Sequence, residues 1–188
     1  AGEIVATLSK AFPEVQHWVG CAAHSVLAGD MDYGHTGAIA VMLPYLKTQD
    51  YQVFSGIAPW HQGAFTAHSA LVHGDASSPG IGQQVHALRQ HMGCDALVGG
   101  VCHLSHEHTQ WSWGARAAGG MPSSMGGSHG GIQMGGLSGV AFSANVDCLT
   151  VGMQGCKPVG ATHTMTRVEG DTVLELDGQP AWEVFVGD

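Results

Sequence analysis

The stretch Ala67–Val101, AHSALVHGDASSPGIGQQVHALRQHMGCDALVGGV, shows the clearest change of secondary-structure pattern in the chain. Its first ten residues are largely apolar and end in turn-forming residues, which is typical of a strand. Ser78-Pro79 then opens a predicted helix that runs to about His91 and stops at Gly93, because proline is tolerated in a first helical turn and glycine ends helices. DALVGGV follows as a second strand. This strand–helix–strand order predicts helices packed on a sheet.

The sequence on either side extends this pattern. Before it, EIVATLSKAF (3–12) has one apolar helical face, and three apolar segments predict strands; they are HWVGCAA (17–23), TGAIAVMLPYL (36–46) and YQVFSGI (51–57). After it, GVAFSANVDCLTVGM (139–153), ATHTMTRVEG (161–170) and DTVLELDG (171–178) predict antiparallel strands, the last two joined by a tight turn at Gly170-Asp171. Helices and strands alternate early and strands dominate late. The predicted fold class is therefore mixed α/β (α+β), a mixed and largely antiparallel sheet with packed helices.

A short internal repeat suggests how the strands are organised. Val19-Gly20 precedes His24 by the same spacing as Val98-Gly99 precedes His103, and a predicted helix comes before each pair. Downstream, residues 36–40 and 138–142 have similar strand patterns. The alternatives are a duplicated helix–strand–loop–strand unit and a chance agreement.

Composition narrows the class of protein. The 188 residues are 44% hydrophobic and 11% charged, which predicts one globular domain with a real core. Six basic residues stand against 15 acidic ones, a formal charge of −9, so nucleic acid and anionic membrane are poor partners. No apolar run is long enough for a membrane span. Five cysteines, an odd number without CxxC spacing, argue against a disulfide framework and favour the reducing cytoplasm.

Two segments near the end carry a family resemblance. MQGCKPVG (153–160) and TMTRVEGDTVLELDGQPA (164–181) resemble the end of the FIST N-terminal domain, with Lys157 where the family has arginine and Met165 where it has valine. Val19-Gly20-Cys21, Val98-Gly99-Gly100 and GLSGVAFS (136–143) resemble further strands of that family. The resemblance covers nearly the whole chain, so residues 1–188 are predicted to form a single FIST N-terminal-like domain.

The repeat predicts an inserted loop, and the resemblance indicates that a C-terminal domain is missing from the chain. The spacing after His103 is longer than that after His24, and the extra residues include a Gly/Met-rich segment at about 114–136, which we expect to be an inserted loop. The C-terminal FIST domain that usually follows is absent from the chain. The chain also starts without methionine and stops as a helix begins, so a fragment of a longer protein is expected.

The resemblance implies an intracellular, non-enzymatic sensory domain that binds a small-molecule ligand and relays binding to a signalling protein partner. Ligands proposed for the family include amino acids, and some members look like haem-based nitric oxide sensors. The sequence contains no GxSxG motif, no HExxH motif and no phosphate-binding loop, so no known catalytic motif of these kinds indicates an enzyme. An interaction or structural subunit of a larger complex is a second alternative.

Residues just past predicted strand ends are the candidate ligand-binding residues, since open sheets place ligands there. His24 and His103 follow such ends, with Gly100 and the turn 155–160 as walls and the insertion as a lid. Cys156 is either a thiol made reactive by Lys157 or a small buried residue in a tight bend. The predicted ligand-binding residues are His24, Gly100, His103, Gly155, Cys156 and Lys157.

A metal or haem site is the other chemical interpretation. The chain has 13 histidines, and the segment Cys102–Gly114, CHLSHEHTQWSWG, contains three of them, although no single helix or strand aligns all three on one side. Imidazole and thioether side chains suit iron or copper. The candidate metal ligands are His103, His106, His108, His129, Met121 and Met125. The competing interpretation is a loop that is merely rich in polar residues.

Overall fold

A computed structural model describes residues 2–34, 37–56, 59–61, 65–102, 110–113, 130–133, 135–152, 155–158 and 160–187. The chain divides into two compact units, Ala1–Thr150 and Val151–Asp188. No helix in the described ranges is both long and apolar enough to cross a membrane.

The first unit contains two helices and most of the strands. Its helices are α1 (Gly2–Ala11) and α2 (Ile81–Met92). Its strands are β1 (Trp18–Cys21), β2 (Leu27–Ala28), β3 (Met31–Asp32), β4 (Tyr51–Ser55), β5 (Ser69–Asp75), β6 (Ala96–Cys102), β7 (Gln110–Trp113), β8 (Gly130–Gln133) and β9 (Leu137–Phe142). The second unit contains β10 (Met165–Glu169), β11 (Thr172–Leu176), β12 (Gln179–Pro180) and α3 (Ala181–Gly187).

The predicted strand–helix–strand stretch forms β5, α2 and β6. These strands lie in a four-stranded sheet of order β4-β9-β5-β6, in which β5 and β6 are parallel and the other pairs are antiparallel. Helix α2 starts three residues after the predicted Ser78, since Gly80 has a left-handed conformation with φ 67°. It ends at Gly93, φ 64°, whose N–H donates to the Arg89 carbonyl. The mixed, largely antiparallel fold class is confirmed.

Both faces of the four-stranded sheet are covered, which makes β5 the centre of the unit. On one face a cluster of buried apolar residues includes Phe54, Val72 and Met92, the last residue of α2. On the other face Val53 and Val140 pack against Val19 of β1. That residue belongs to a second sheet of order β1-β7-β8, antiparallel throughout. Because side chains alternate along a strand, β5 presents Val72 to the helical side and His73 to the second sheet.

The second unit is an antiparallel meander followed by a helix. Strands β10 and β11 meet at the predicted tight turn, where Gly170 has φ 58°. Strands β11 and β12 are joined through Asp177-Gly178, also with positive φ. Every residue of β10 is exposed. Helix α3 begins where the apolar pattern after Pro180 predicts a helix.

Two predicted strands are wrong over part of their length. Residues 37–46 form no strand, and Tyr45 and Met42 are 100% and 79% exposed. Pro44 lacks the N–H that a ladder needs, so the apolar run alone was a misleading signal. The predicted strand 139–153 ends at Phe142, because Asp50 accepts hydrogen bonds from Ser143 Oγ and Asn145 Nδ2 and the chain turns there.

The helix–strand half of the internal repeat is present twice, as α1–β1 and α2–β6, but the remainder differs. Residues 37–40 form no strand, whereas 138–142 lie in β9. Strands β1 and β6 belong to different sheets, one antiparallel to β7 and the other parallel to β5. The described residues therefore do not reproduce a duplicated helix–strand–loop–strand unit.

Candidate functional site

Buried polar groups collect between the two sheets of the first unit, at the carboxyl ends of the parallel strands. We call this group the polar seam; its residues are Asp75, Ser78, Gln110, Gly135, Gly136 and Ser138. They come from the end of β5, the start of β7, the start of β9 and the loops beside them. Carboxyl ends of strands in open α/β sheets are where ligands usually bind.

Asp75, the last residue of β5, joins two loops. Its Oδ1 accepts hydrogen bonds from the Ser77 backbone N–H at 2.8 Å and from Ser77 Oγ at 2.6 Å. Its Oδ2 accepts one from the Gly135 N–H at 2.8 Å. The residue is only 6% exposed. A carboxylate so placed is stable only while these donors are present, since burying an unpaired charge is costly.

Gln110, the first residue of β7, has 0% exposure and uses both ends of its amide. Its Nε2 donates to the Gly135 and Gly136 carbonyls, both at 3.0 Å, and its Oε1 accepts from Ser138 Oγ at 2.6 Å. Fully satisfied buried networks of this kind hold one arrangement of the chain rather than several.

Gly135 and Gly136 give the seam its shape. They have φ 78° and 68°, a left-handed conformation that glycine adopts without the steric cost other residues incur. The two successive N–H groups reach Asp75 and Ser78 Oγ, the second at 2.6 Å. The seam thus fixes the chain on both sides of residues 114–134, at β7 before them and at Gly135 after them.

His73 and two cysteines lie on the same side of the four-stranded sheet as the seam. His73 is opposite Gly100 in β6 and Ser138 in β9. Its Nδ1 is buried and has no hydrogen-bond partner among the described residues. Burial lowers the pKa of His73 below its ordinary value, so the neutral ring is favoured.

Cys21 ends β1 opposite Gln110, and Cys102 ends β6 opposite Asp75. Burial, together with the neighbouring Cys102 thiol, raises the pKa of the Cys21 thiol to about 12. Cys21 therefore keeps its proton.

A concave surface lies between α2 and the edge of β6. It encloses about 450 Å³ and is lined by Val85, His86, Arg89, Asp95 and Leu97 together with Thr150. The Asp95 carboxylate lies 3.2 Å from His68 Nδ1. Its charged side chains are exposed to solvent, which weakens any ion pair with a ligand. The polar seam is the stronger candidate because its polar groups are buried.

The predicted ligand-binding residues are distributed over both units. His24 is exposed in the loop after β1, and Gly100 is exposed in β6 with open space where a Cβ would lie. Gly155, Cys156 and Lys157 are exposed residues of the second unit, outside its helices and strands. Cys156 is therefore not the buried filler of a tight bend. His103 lies outside the described residues, so its pairing with His24 remains a prediction.

All six predicted metal ligands lie outside the described residues; they are His103, His106, His108, His129, Met121 and Met125. Within the part of the chain that the structure describes, no group of three or more His, Cys, Asp or Glu side chains is arranged to hold a metal ion. Copper and haem binding stay predictions.

The residues of the seam were missed by sequence reasoning. Asp75 and Ser78 lie in GDASSP, which is read correctly as turn chemistry but gives no sign of the partners across the fold. Gln110 and Ser138 are 28 positions apart and meet only because β7 and β9 belong to stacked sheets. The double glycine at 135–136 was the one available signal, since consecutive glycines mark left-handed turns.

Comparison with protein families assigns the class of this mixed α/β protein: a sensory domain of signal transduction. The model of the FIST N domain matches residues 1–179. The chain therefore belongs to the FIST N domain family, and the resemblance noted in its C-terminal third is confirmed. Searches among curated proteins and among solved structures find no match.

Proposed function

We propose that this protein is a non-enzymatic sensory domain that binds a small ligand at the polar seam and relays binding to a protein partner. Membership of the FIST N domain family supports the sensory role. The observation that carries the choice of site is the buried Asp75 carboxylate at the end of β5, which holds the Gly135 N–H. We place this activity in the cytoplasm, where all five thiols would stay free.

The seam gives ligand binding a way to change the protein. Asp75 Oδ2 accepts the hydrogen bond from the Gly135 N–H, and a ligand with an ammonium or amide donor would compete for that oxygen. Releasing Gly135 would also free the Gly136 contacts to Ser78 and Gln110, because both glycines belong to one turn. The seam would thereby exist in two arrangements, which is what a relay needs.

A thermal-shift screen with the standard amino acids, alongside native mass spectrometry of the freshly purified protein, tests this proposal. We expect at least one amino acid to raise the Tm of the wild type, and Asp75→Asn to lose that shift. Asp147→Asn is the matched control, since Asp147 is an exposed aspartate of the same unit. Circular dichroism would show that Asp75→Asn is folded at the temperature of the screen.

Three outcomes would contradict the proposal. A ligand-induced shift that persists in Asp75→Asn would place the site elsewhere. A Soret band or a stoichiometric metal in the purified protein would favour the haem or metal interpretation. Isolation only within a stable larger complex, with no ligand retained, would favour the interaction subunit.

A further inference from the structure

Strand β6 lies at one end of the four-stranded sheet, and among the described residues it pairs only with β5. Two hydrogen bonds identify its inward side. The Ala96 N–H donates to the His68 carbonyl at 3.4 Å, and the Cys102 carbonyl accepts from the Ala76 N–H at 3.1 Å. Successive residues of a strand direct their N–H and C=O groups to opposite edges. The residues that direct these groups away from β5, which we call the free edge, are Leu97, Gly99 and Val101.

The sequence of β6, ALVGGVC, carries no feature that blocks the addition of another strand. It contains no proline and no charged residue, and its pairing with β5 runs through seven residue pairs without a register shift. Proline, charges and bulges are the features with which proteins usually protect a sheet edge. Gly99 and Gly100 are both exposed. Glycine inside a strand often marks a place where another backbone approaches closely.

A groove runs beside the first half of the free edge. It is the concave surface between α2 and β6, and its apolar wall includes the half-buried Val85 and Leu97. Helix α2 contains no acidic residue. His86 is hydrogen-bonded within the helix and Asp95 is paired with a histidine, but Arg89 has no ion pair within the described part of the chain. The groove therefore complements a partner that brings its own carboxylate.

We propose that the free edge of β6 is a peptide-binding site, where an extended segment of a partner protein adds a strand to the sheet and places an acidic side chain at Arg89. The backbone of the segment would exchange hydrogen bonds with the free edge, and alternate side chains would pack in the groove on Val85 and Leu97. A second copy of this chain fits less well. Its β6 has no acidic residue to offer Arg89, and each copy carries a formal charge of −9.

This inference adds a partner surface to the proposed function, and it does not require a ligand at the polar seam. The thermal-shift screen of the seam uses amino acids and no peptide, so either proposal can fail alone.

The experiment titrates the full chain with an end-blocked synthetic heptapeptide of alternating threonine and valine that ends in glutamate. The glutamate is C-terminal because an added antiparallel strand would end beside the first residues of β6, where Arg89 lines the groove. A matched peptide has glutamine in its place. Two more peptides are N-methylated at one or the other set of alternate amides. We expect at least one of these to bind about tenfold or more weakly, because it cannot donate to β6.

Amide hydrogen exchange of the protein locates the bound peptide. We expect the N–H groups of Leu97, Gly99 and Val101 to exchange about tenfold or more slowly with saturating peptide. The N–H groups of Val98 and Gly100 point to β5 and should exchange at an unchanged rate.

Variants separate the backbone contribution from that of the ion pair. Arg89→Gln should weaken binding of the glutamate peptide by about threefold, as expected for an exposed pair, and leave that of the glutamine peptide unchanged. Lys47→Gln is the control, since Lys47 is an exposed cation that does not line the groove. Val101→Pro removes one outward N–H and should abolish binding, whereas Val101→Thr should not. If the proline variant fails to fold, the N-methylated peptides carry this part of the test.

Five results would overturn the proposal. The first is no binding at up to about 1 mM peptide. The second is equal affinity for all the N-methylated peptides, and the third is equal affinity for the glutamate and glutamine peptides. The fourth is slow exchange of the free edge in a peptide-free monomer, which would mean that the edge is already covered. The fifth is slow exchange together with dimerisation in analytical ultracentrifugation, which would make a second copy the occupant.

Discussion

Two aspartates, one in each unit, hold a turn with the same chemistry in opposite surroundings. Asp75 accepts hydrogen bonds from the Ser77 and Gly135 N–H groups and is 6% exposed. Asp177 accepts them from the Thr164 N–H at 2.9 Å and from His163 Nδ1 at 2.7 Å, and its side chain is 49% exposed. The local bonding is alike, but water can replace the partners of Asp177 and not those of Asp75. Burial, rather than the number of hydrogen bonds, therefore sets what each turn contributes to stability.

The strands that carry these residues differ in the same way. Strand β5 has neighbours on both edges and a packed layer on each face, whereas every residue of β10 is exposed. Substitutions in the first unit should consequently lower the free energy of unfolding much more than equivalent substitutions in the second unit.

Gly99→Ala should have the largest effect. Gly99 has φ 147°, and a Cβ there would lie 1.8 Å from the Val72 carbonyl oxygen in the neighbouring strand. Backbone cannot move aside as a side chain does, so β6 would have to detach from β5. We expect a loss of about 4 kcal/mol or more in the free energy of unfolding, or failure to fold, measured by urea denaturation.

Gly100→Ala is the matched control, since it is the next residue of the same strand and a Cβ there meets nothing within 4 Å. We expect a change within about 0.5 kcal/mol. Equal losses in the two variants would show that strand flexibility, and not the contact with Val72, is responsible.

Asp75→Asn should have the second largest effect. The amide keeps the shape of the side chain, but one of its two ends becomes an NH2 group that faces either Gly135 N–H or Ser77 N–H. A buried donor would then face a donor, which costs about 2–3 kcal/mol in the free energy of unfolding. Urea denaturation checks the value, with Asp147→Asn as the exposed control. A change as small as that of the control would mean that water reaches the seam.

Local patterns in the sequence were enough to predict part of the fold and the family. The pattern of Ala67–Val101 predicted β5, α2 and β6, because local periodicity and turn residues determine such elements. The motifs at 153–181 led to the family, which the match over residues 1–179 confirms. Both kinds of information are local in the chain.

The polar seam could not be found this way. Gln110 meets Ser138 and Gly136 only after two sheets have stacked, and an isolated glutamine carries no mark of its burial. The internal repeat predicted that the ends of β1 and β6 face one site. In the structure those ends carry Cys21 and Cys102, while the predicted partner of His24, His103, lies outside the described residues.

His73 should make the stability of the first unit depend on pH. The expected change in the free energy of unfolding is smaller than that of Gly99→Ala or Asp75→Asn. Burial holds the pKa of His73 below the ordinary 6.5, so below that pH the unfolded chain binds a proton that the folded chain does not. The stabilisation is therefore complete above pH 6.5 and is lost as the pH falls below it, by at most about 1.4 kcal/mol per pH unit for one proton.

Urea midpoints at pH 7.5 and pH 5.5 measure this slope in the wild type, in His73→Gln and in His24→Gln. We expect a shallower slope in His73→Gln and an unchanged slope in His24→Gln, since His24 is exposed in the same unit. Slopes that are identical in all three proteins would assign the pH dependence to other groups.

Asp177 should give the smallest effect on stability, and this effect should be confined to the second unit. The hydrogen bond from the Thr164 N–H, together with that from His163, holds the pKa of Asp177 below its usual 3.8. The stabilisation is therefore present above that pH and is lost as the pH falls through the lower value of the folded protein. Hydrogen exchange of the Thr164 amide should accelerate in that acidic range in the wild type. In Asp177→Asn, which tolerates the φ of 52° at this position, the exchange rate should lose this extra pH dependence.

Asp171→Asn, in the neighbouring turn, is the control and should behave as the wild type. Loss of the response in that variant as well would show that the total charge of the hairpin, not the Asp177 hydrogen bond, is being measured.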